Sequence, residues 1–192
     1  MEQIMILTKK AVLLGWLCTS LQAASGQAAL SNNAAADPTL SAKGATALTL
    51  SAIKNCTYKY EGHDGFIRLK NGRAAGKFPG STIFGWSCQI EELALGDLDD
   101  DGNADGVMAI GYNGGGSGYF VNLVAMINKR GKAVQGDSYD LGDRVEIKNI
   151  KIDQGKVTVM FMDHAPNEGL ASASVRKVIC LRLNKKGKWQ KC

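Results

Sequence analysis

Apolar residues in this chain recur in short runs and alternations, not at helical spacing. Leu93-Ala94-Leu95, Val107-Met108-Ala109-Ile110 and the longer run from Tyr119 to Asn128 are bounded by Gly or Asp-Gly, the pattern of strands buried in a sheet. Cys56 to Tyr60, Phe66 to Lys70 and Thr82 to Glu91 read as further strands between Gly-rich or Asp-Gly turns. Val145 to Ile152 and Lys156 to Asp163 form the clearest hairpin, turning at Asp153-Gln154-Gly155. In its first arm Val145 and Ile147 share one parity while Ile150 and Ile152 share the other, so a bulge is expected near Lys148-Asn149. In its second arm Val157, Val159 and Phe161 alternate with Met160 and Met162, which predicts cover on both faces. After residue 47 no amphipathic helix of useful length appears. The pattern predicts a mainly β fold, a single compact antiparallel sandwich or twisted-sheet domain.

The first part of the chain reads differently. Lys9 and Lys10 precede the apolar run Ala11 to Cys18, and small residues follow around Leu21-Gln22-Ala23. That run is too short to span a bilayer and ends in a small-x-small pattern, so residues 1–23 read as a secretory signal peptide, with cleavage after Ala28 as the alternative. A lipid anchor on Cys18 fits poorly, because the bulky Leu17 stands where a small residue is expected. Residues 24–47 are rich in Ala, Ser, Asn and Gly, a composition that buries too little surface to offset its ordering entropy, and they read as a flexible tether. Residues 48–192 remain for one domain with a sizeable core, and the expected location is the bacterial periplasm or the medium.

Export changes the reading of the cysteines. Cys56, Cys88, Cys180 and Cys192 remain after signal removal, and an even count in an oxidising compartment predicts two disulfides. Val178 to Asn184 and Lys188 to Cys192 flank Lys185-Lys186-Gly187, a hairpin loop with Gly at its left-handed position, which sets Cys180 opposite Cys192. Cys56 to Cys88 follows by elimination. A zinc site is the weaker alternative, since no Cys-x-x-Cys occurs and neither His63 nor His164 sits at ligand spacing from a cysteine. Formal net charge is +5, and the loss of Glu2, Lys9 and Lys10 leaves +4. The lysines near the end, Lys185, Lys186, Lys188 and Lys191, lack interleaved aromatics and read as a solvated hairpin, so a nucleic-acid partner is not expected.

The strongest chemical signal is Asp97-Leu98-Asp99-Asp100-Asp101-Gly102-Asn103-Ala104-Asp105. Asp97, Asp99, Asp101 and Asp105 occupy positions 1, 3, 5 and 9 of a calcium loop, Gly102 stands at the turning position 6, and Asn103 at position 7 offers its backbone carbonyl. Five carboxylates within nine residues repel one another unless a cation neutralises them. A plain Asp-Gly turn is the alternative. Position 12, where an EF-hand carries a bidentate Glu, is Met108. The flanking segments are strands and not helices, as in the calcium loops of integrin-type propeller blades. A propeller would require the loop to recur, and only one copy is present.

Gly96 to Gly106, Gly115-Gly116-Ser117-Gly118-Tyr119-Phe120, Leu141-Gly142-Asp143-Arg144-Val145, Ile150-Lys151-Ile152 and Gly155-Lys156-Val157 together resemble uncharacterised bacterial exported proteins and lipoproteins with a single integrin-like loop. The resemblance covers about residues 55–184 and implies an exported calcium-loop domain with Ca2+ as its ion. It implies no activity.

Catalytic alternatives are thin. Ser117 with Asp163-His164 lacks the Gly-x-Ser-x-Gly elbow, and Gly114 to Gly118 lacks the Lys-Ser/Thr ending of a phosphate loop. Trp86 and Trp189 stand two and three residues from Cys88 and Cys192 and are expected to pack on disulfides, not to stack a sugar. The expected function is a non-catalytic, calcium-binding module whose partner is a protein or an envelope component. The alternative is a small secreted hydrolase using His164 or an acid near the loop.

Overall fold

A computed structural model of the chain describes residues 46–166, 169 and 173–192. The expected signal peptide and all of the expected tether except Thr46 and Ala47 lie outside these residues. One short helix, α1 (Leu50–Lys54), opens the described chain, and the Thr49 hydroxyl caps it by accepting the Ala52 N–H at 3.1 Å. Eleven strands follow: β1 (Thr57–Tyr58), β2 (Ile67–Arg68), β3 (Arg73–Lys77), β4 (Gly85–Gly96), β5 (Asp105–Asn113), β6 (Phe120–Lys129), β7 (Lys132–Asp143), β8 (Glu146–Asp153), β9 (Lys156–Asp163), β10 (Val175–Leu183) and β11 (Trp189–Lys191). They form antiparallel sheets in the orders β1-β2, β3-β4-β5-β6-β7 and β11-β10-β9-β8. The mainly β sandwich expected from the pattern is the fold observed.

The five-stranded sheet is the middle layer. On one face Val107, Ala109, Val121 and Leu123 meet Ile150, Val157, Val159, Phe161 and Leu181 of the four-stranded sheet. On the other face Met108, Ile110, Tyr112, Val124 and Met126 are covered by the amino-terminal segment through Leu48, Ile53, Tyr58, Ile67 and Leu69. β5 therefore sits in a core on both sides, and for that reason its residues are apolar at both parities. β9 was expected to be covered twice and is not. Val157, Val159 and Phe161 are buried, but Met160 and Met162 lie half-exposed on the outer face, so its second apolar parity marks an uncovered sheet face.

The bulge expected near Lys148-Asn149 falls between Ile147 and Asn149. Gln154 and Gly155 both take positive φ, 48° and 68°, the turn whose twist matches a two-residue hairpin loop. Two strands, β3 and β7, were not singled out by pattern. β7 carries Lys132, Gln135, Asp137 and Asp140 and only half-buries most of its length, because it is the free edge of its sheet.

Cys180 and Cys192 are disulfide-bonded, 5.5 Å apart at Cα, in the register expected, with the Cys192 N–H donating to the Cys180 carbonyl at 3.2 Å. The expected Cys56–Cys88 bond is corrected: both thiols are free, at 6% and 4% exposure within the layer under β5. Elimination assumed that every thiol must pair. These two fill apolar space as small hydrophobes instead, and burial pushes the Cys56 thiol up to about 11 and raises that of Cys88. Trp86 accordingly packs on no disulfide but lies over Gly76 and edge-on to His63 at 4.5 Å. Trp189 clips the two sheets together, its backbone and indole N–H groups donating to the Asp137 carboxylate and carbonyl of β7. Among the described residues no helix is long and apolar enough to cross a membrane.

Candidate metal centre

β4 ends and β5 begins on either side of the acidic loop, and both ends are held rigidly. Gly96 approaches β8 so closely that a Cβ there would meet the Ile152 side chain at 2.7 Å, so only glycine lets the loop start at this point. At the other end Asp105 opens β5, buried completely. Its Oδ2 accepts the Leu98 N–H at 3.0 Å and its Oδ1 accepts the Asn128 N–H at 2.7 Å. One carboxylate thus closes the loop on itself and ties it to β6.

Inside the loop the backbone turns where the sequence allows. Gly102 takes φ 82° and donates its N–H to Asp97 Oδ2 at 2.8 Å, while Asp101 Oδ1 accepts the Asn103 N–H at 2.8 Å in an Asx turn. Asp100 also takes a positive φ, 60°. The β8–β9 turn lies close beside this bend, where a Cβ on Gly155 would stand 3.4 Å from Asp100 Oδ1.

The result is a convergence of oxygens. One carboxylate oxygen each from Asp97, Asp99 and Asp105 lies within 4.8 Å of the others, a group that can hold a metal ion. Asp101 falls outside this set. Asn103, expected to act through its backbone carbonyl, also buries its side-chain oxygen, and neither Asn103 Oδ1 nor Asp97 Oδ1 has a hydrogen-bond partner. A buried oxygen left without a donor costs about 1 to 3 kcal/mol, and a hard cation among all-oxygen donors removes that cost. The acid positions therefore fit a metal on chemistry and not on spacing alone. Met108, at the position of an EF-hand glutamate, points into the layer under β5 with 0% exposure and is not part of the group.

The electrostatics agree. Burial pushes the Asp105 carboxyl up to about 6 against the opposing Asn128 and Leu98 N–H groups, and Asp99 and Asp101 push the same way as burial. Asp99, exposed but partly desolvated by the loop around it, is raised first by that desolvation and then by Asp101, with Lys129 opposing. A divalent cation would reverse these shifts, since its own charge dominates the site.

The residues weighed for catalysis are dispersed or committed. Ser117 is exposed in the loop before β6, and His164 follows the end of β9. Asp163 accepts Lys177 Nζ at 2.5 Å and the His164 backbone N–H at 2.7 Å. Glu91, the extra residue of the bulge in β4, accepts from the Tyr119 hydroxyl and from Gln89. What sequence reasoning missed is Asn128. It is buried, and its side chain donates to the Thr46 and Ala104 carbonyls and accepts the Gly131 N–H at 2.7 Å. A polar residue closing an apolar run just before Arg130-Gly131 was the available signal. No protein-family profile, curated protein or solved structure matches this chain.

Proposed function

We propose that the loop binds one calcium ion through Asp97, Asp99, Asp105 and Asn103, and that the protein is an exported, non-catalytic β module that binds a protein or envelope component. The observation that carries the metal is the convergence of one carboxylate oxygen each from Asp97, Asp99 and Asp105 within 4.8 Å, in a loop where Asp97 Oδ1 and Asn103 Oδ1 are buried without donors. Calcium suits the site better than magnesium because the donors sit on an irregular loop, and calcium accepts variable oxygen geometry where magnesium demands a near-ideal octahedron. Asp101 contributes negative charge close to the ion. The Cys180–Cys192 bond fits an oxidising compartment, and the leader pattern of residues 1–23 supports export to the bacterial periplasm or beyond it. The motif resemblance to exported calcium-loop proteins points the same way.

The test is thermal. An ion that binds only the folded chain stabilises it by about 2.7 kcal/mol at one hundred times its Kd, so calcium should raise Tm by several degrees and chelator should reverse the rise. A Tm indifferent to saturating calcium would remove the metal. The binding role is tested by screening glycosidase, esterase, phosphatase and peptidase substrates beside His164→Ala. Turnover that the wild type shows and the variant loses would replace the binding reading with the hydrolase one.

A further inference from the structure

Two turns meet the acidic loop and line with it an open cleft of about 670 Å³. One wall is the loop itself, at Leu98 and Asp100, and the floor is the β8–β9 turn running into Lys156. The far wall is the end of β10 with its hairpin, bringing Arg182, Lys185 and Lys186. By sequence the hairpin lysines belong to a solvated turn. The fold sets them opposite Lys156 and Arg182, which lie at 156 and 182 and meet only because β9 and β10 pair as Lys156 with Arg182.

Two properties separate this cleft from ordinary basic surface. First, its cations are unpaired. Lys156, Arg182, Lys185 and Lys186 take part in none of the ion pairs among the described residues, whereas the neighbouring Lys188 is bound to Asp137 at 2.8 Å. Among the described residues Asp100 is the one acid lining it, which leaves three positive charges in excess there. Second, the Arg182 guanidinium and the hairpin backbone are held in place. With the Gln190 amide oxygen turned toward Arg182, it accepts from Nε at 2.8 Å and Nη2 at 3.1 Å. Asn184 Oδ1 accepts both the Lys186 and the Lys188 backbone N–H, and the Cys180–Cys192 bond locks the two arms of the hairpin. Fixing the guanidinium and the hairpin backbone in advance lowers the ordering cost when an anion binds.

We propose that this cleft is a binding site for a phosphate monoester group. A guanidinium fork and several ammonium groups around one pocket are the donors that phosphate takes. A monoester carries about −1.5 to −2 charge at neutral pH, which matches the excess better than a single carboxylate does. Among the described residues no aromatic side chain lines the cleft, so they supply none of the stacking platform that single-stranded nucleic acid uses. The phosphate belongs either to a lipid headgroup at the envelope or to a free phosphorylated compound. The inference rests on the reading above only in treating the domain as a binding module; its cations are not the calcium ligands.

The experiment is a calorimetric titration of the protein with phenyl phosphate at low salt, repeated with Arg182→Gln/Lys186→Gln, and with phenol as the uncharged control. Saturable binding that weakens at least tenfold in the double variant, with Tm unchanged, is expected. Binding that is absent, equal in the variant or equal for phenol overturns the site. Co-sedimentation with phosphatidic acid vesicles, but not with uncharged phosphatidylcholine vesicles, assigns the phosphate to a lipid headgroup. Phenyl phosphate binding without co-sedimentation assigns it to a free compound. A calcium-dependent Tm without phenyl phosphate binding sinks this inference alone, and the reverse result sinks the calcium site alone.

Discussion

Asp105 accepts the backbone N–H of Asn128 at 2.7 Å, while the Asn128 side chain donates back to the carbonyl of Ala104 at 3.1 Å. The start of β5 and the end of β6 are thus crossed by two bonds within one buried spot. The same Asn128 amide reaches Thr46, so the chain entering the domain is fastened at the edge of the candidate metal site.

That hub predicts the first result. Asn128→Ala removes three hydrogen bonds made from a buried side chain to the exposed Thr46 and the half-buried Ala104 and Gly131, and a hydrogen bond contributes about 0.5 to 1.5 kcal/mol net. A loss of about 2 to 4 kcal/mol by urea unfolding is expected with chelator present, with the slope unchanged. A loss below about 1 kcal/mol would mean that water replaces these bonds at little cost.

Asp99 and Asp105 belong to the same cluster but should fail differently. Asp99 is exposed, and its removal relieves repulsion with Asp101, so Asp99→Ala should leave the metal-free Tm intact and abolish the calcium-dependent rise. Asp105→Ala deprives Leu98 and Asn128 of an acceptor, so it should lower Tm in chelator as well. Paired melts with and without calcium decide it. If Asp99→Ala keeps the full calcium response, Asp99 is not a ligand.

The sequence made the loop and the sandwich legible for different reasons. Backbone needs at Gly102 and the Asx chemistry of Asp101 are local, and local chemistry is written in consecutive residues. The β8–β9 hairpin was likewise readable because its turn and its bulge are short-range features. Cys56 and Cys88 were misread because pairing depends on where two distant segments lie, and nothing local says that both thiols enter one apolar layer. The basic cleft was invisible for the same reason: Lys156 and Arg182 become neighbours only through the β9–β10 register. The uncovered face of β9 was missed because Met serves both cores and half-exposed surfaces.

Acid should expose a different contact. A hydrogen bond from Arg144 holds the Asp143 carboxyl below the usual range, burial opposes it, and the Tyr119 N–H adds to the lowering. Because the folded value is depressed, the unfolded chain takes the proton first, near about 3.9. The stabilisation is complete above that pH and fades as pH falls through the folded value. Unfolding of the wild type and Asp143→Asn, followed from neutral to strongly acid pH in chelator, should show a gap that closes as the solution is acidified. A gap independent of pH would assign the difference to packing instead of charge.

The cysteines give the sharpest division within one molecule. Cys180 and Cys192 are separated by 12 residues, and closing a loop of that length is worth about 3 kcal/mol through the unfolded chain, so reduction should lower stability by about that amount. Cys56 and Cys88 should behave oppositely. Burial pushes the Cys56 thiol up to about 11 and raises that of Cys88, so at neutral pH both are protonated, shielded and slow to react. Native protein treated with a maleimide should stay unlabelled at both positions. Unfolding without reductant should then label both, while peptide mapping recovers Cys180 linked to Cys192. Cys56→Ser should destabilise more than Cys56→Ala, because a hydroxyl in this apolar layer needs a partner that the thiol does not. A linked Cys56–Cys88 peptide from unreduced protein would show instead that the two segments come together as the disulfide count first suggested.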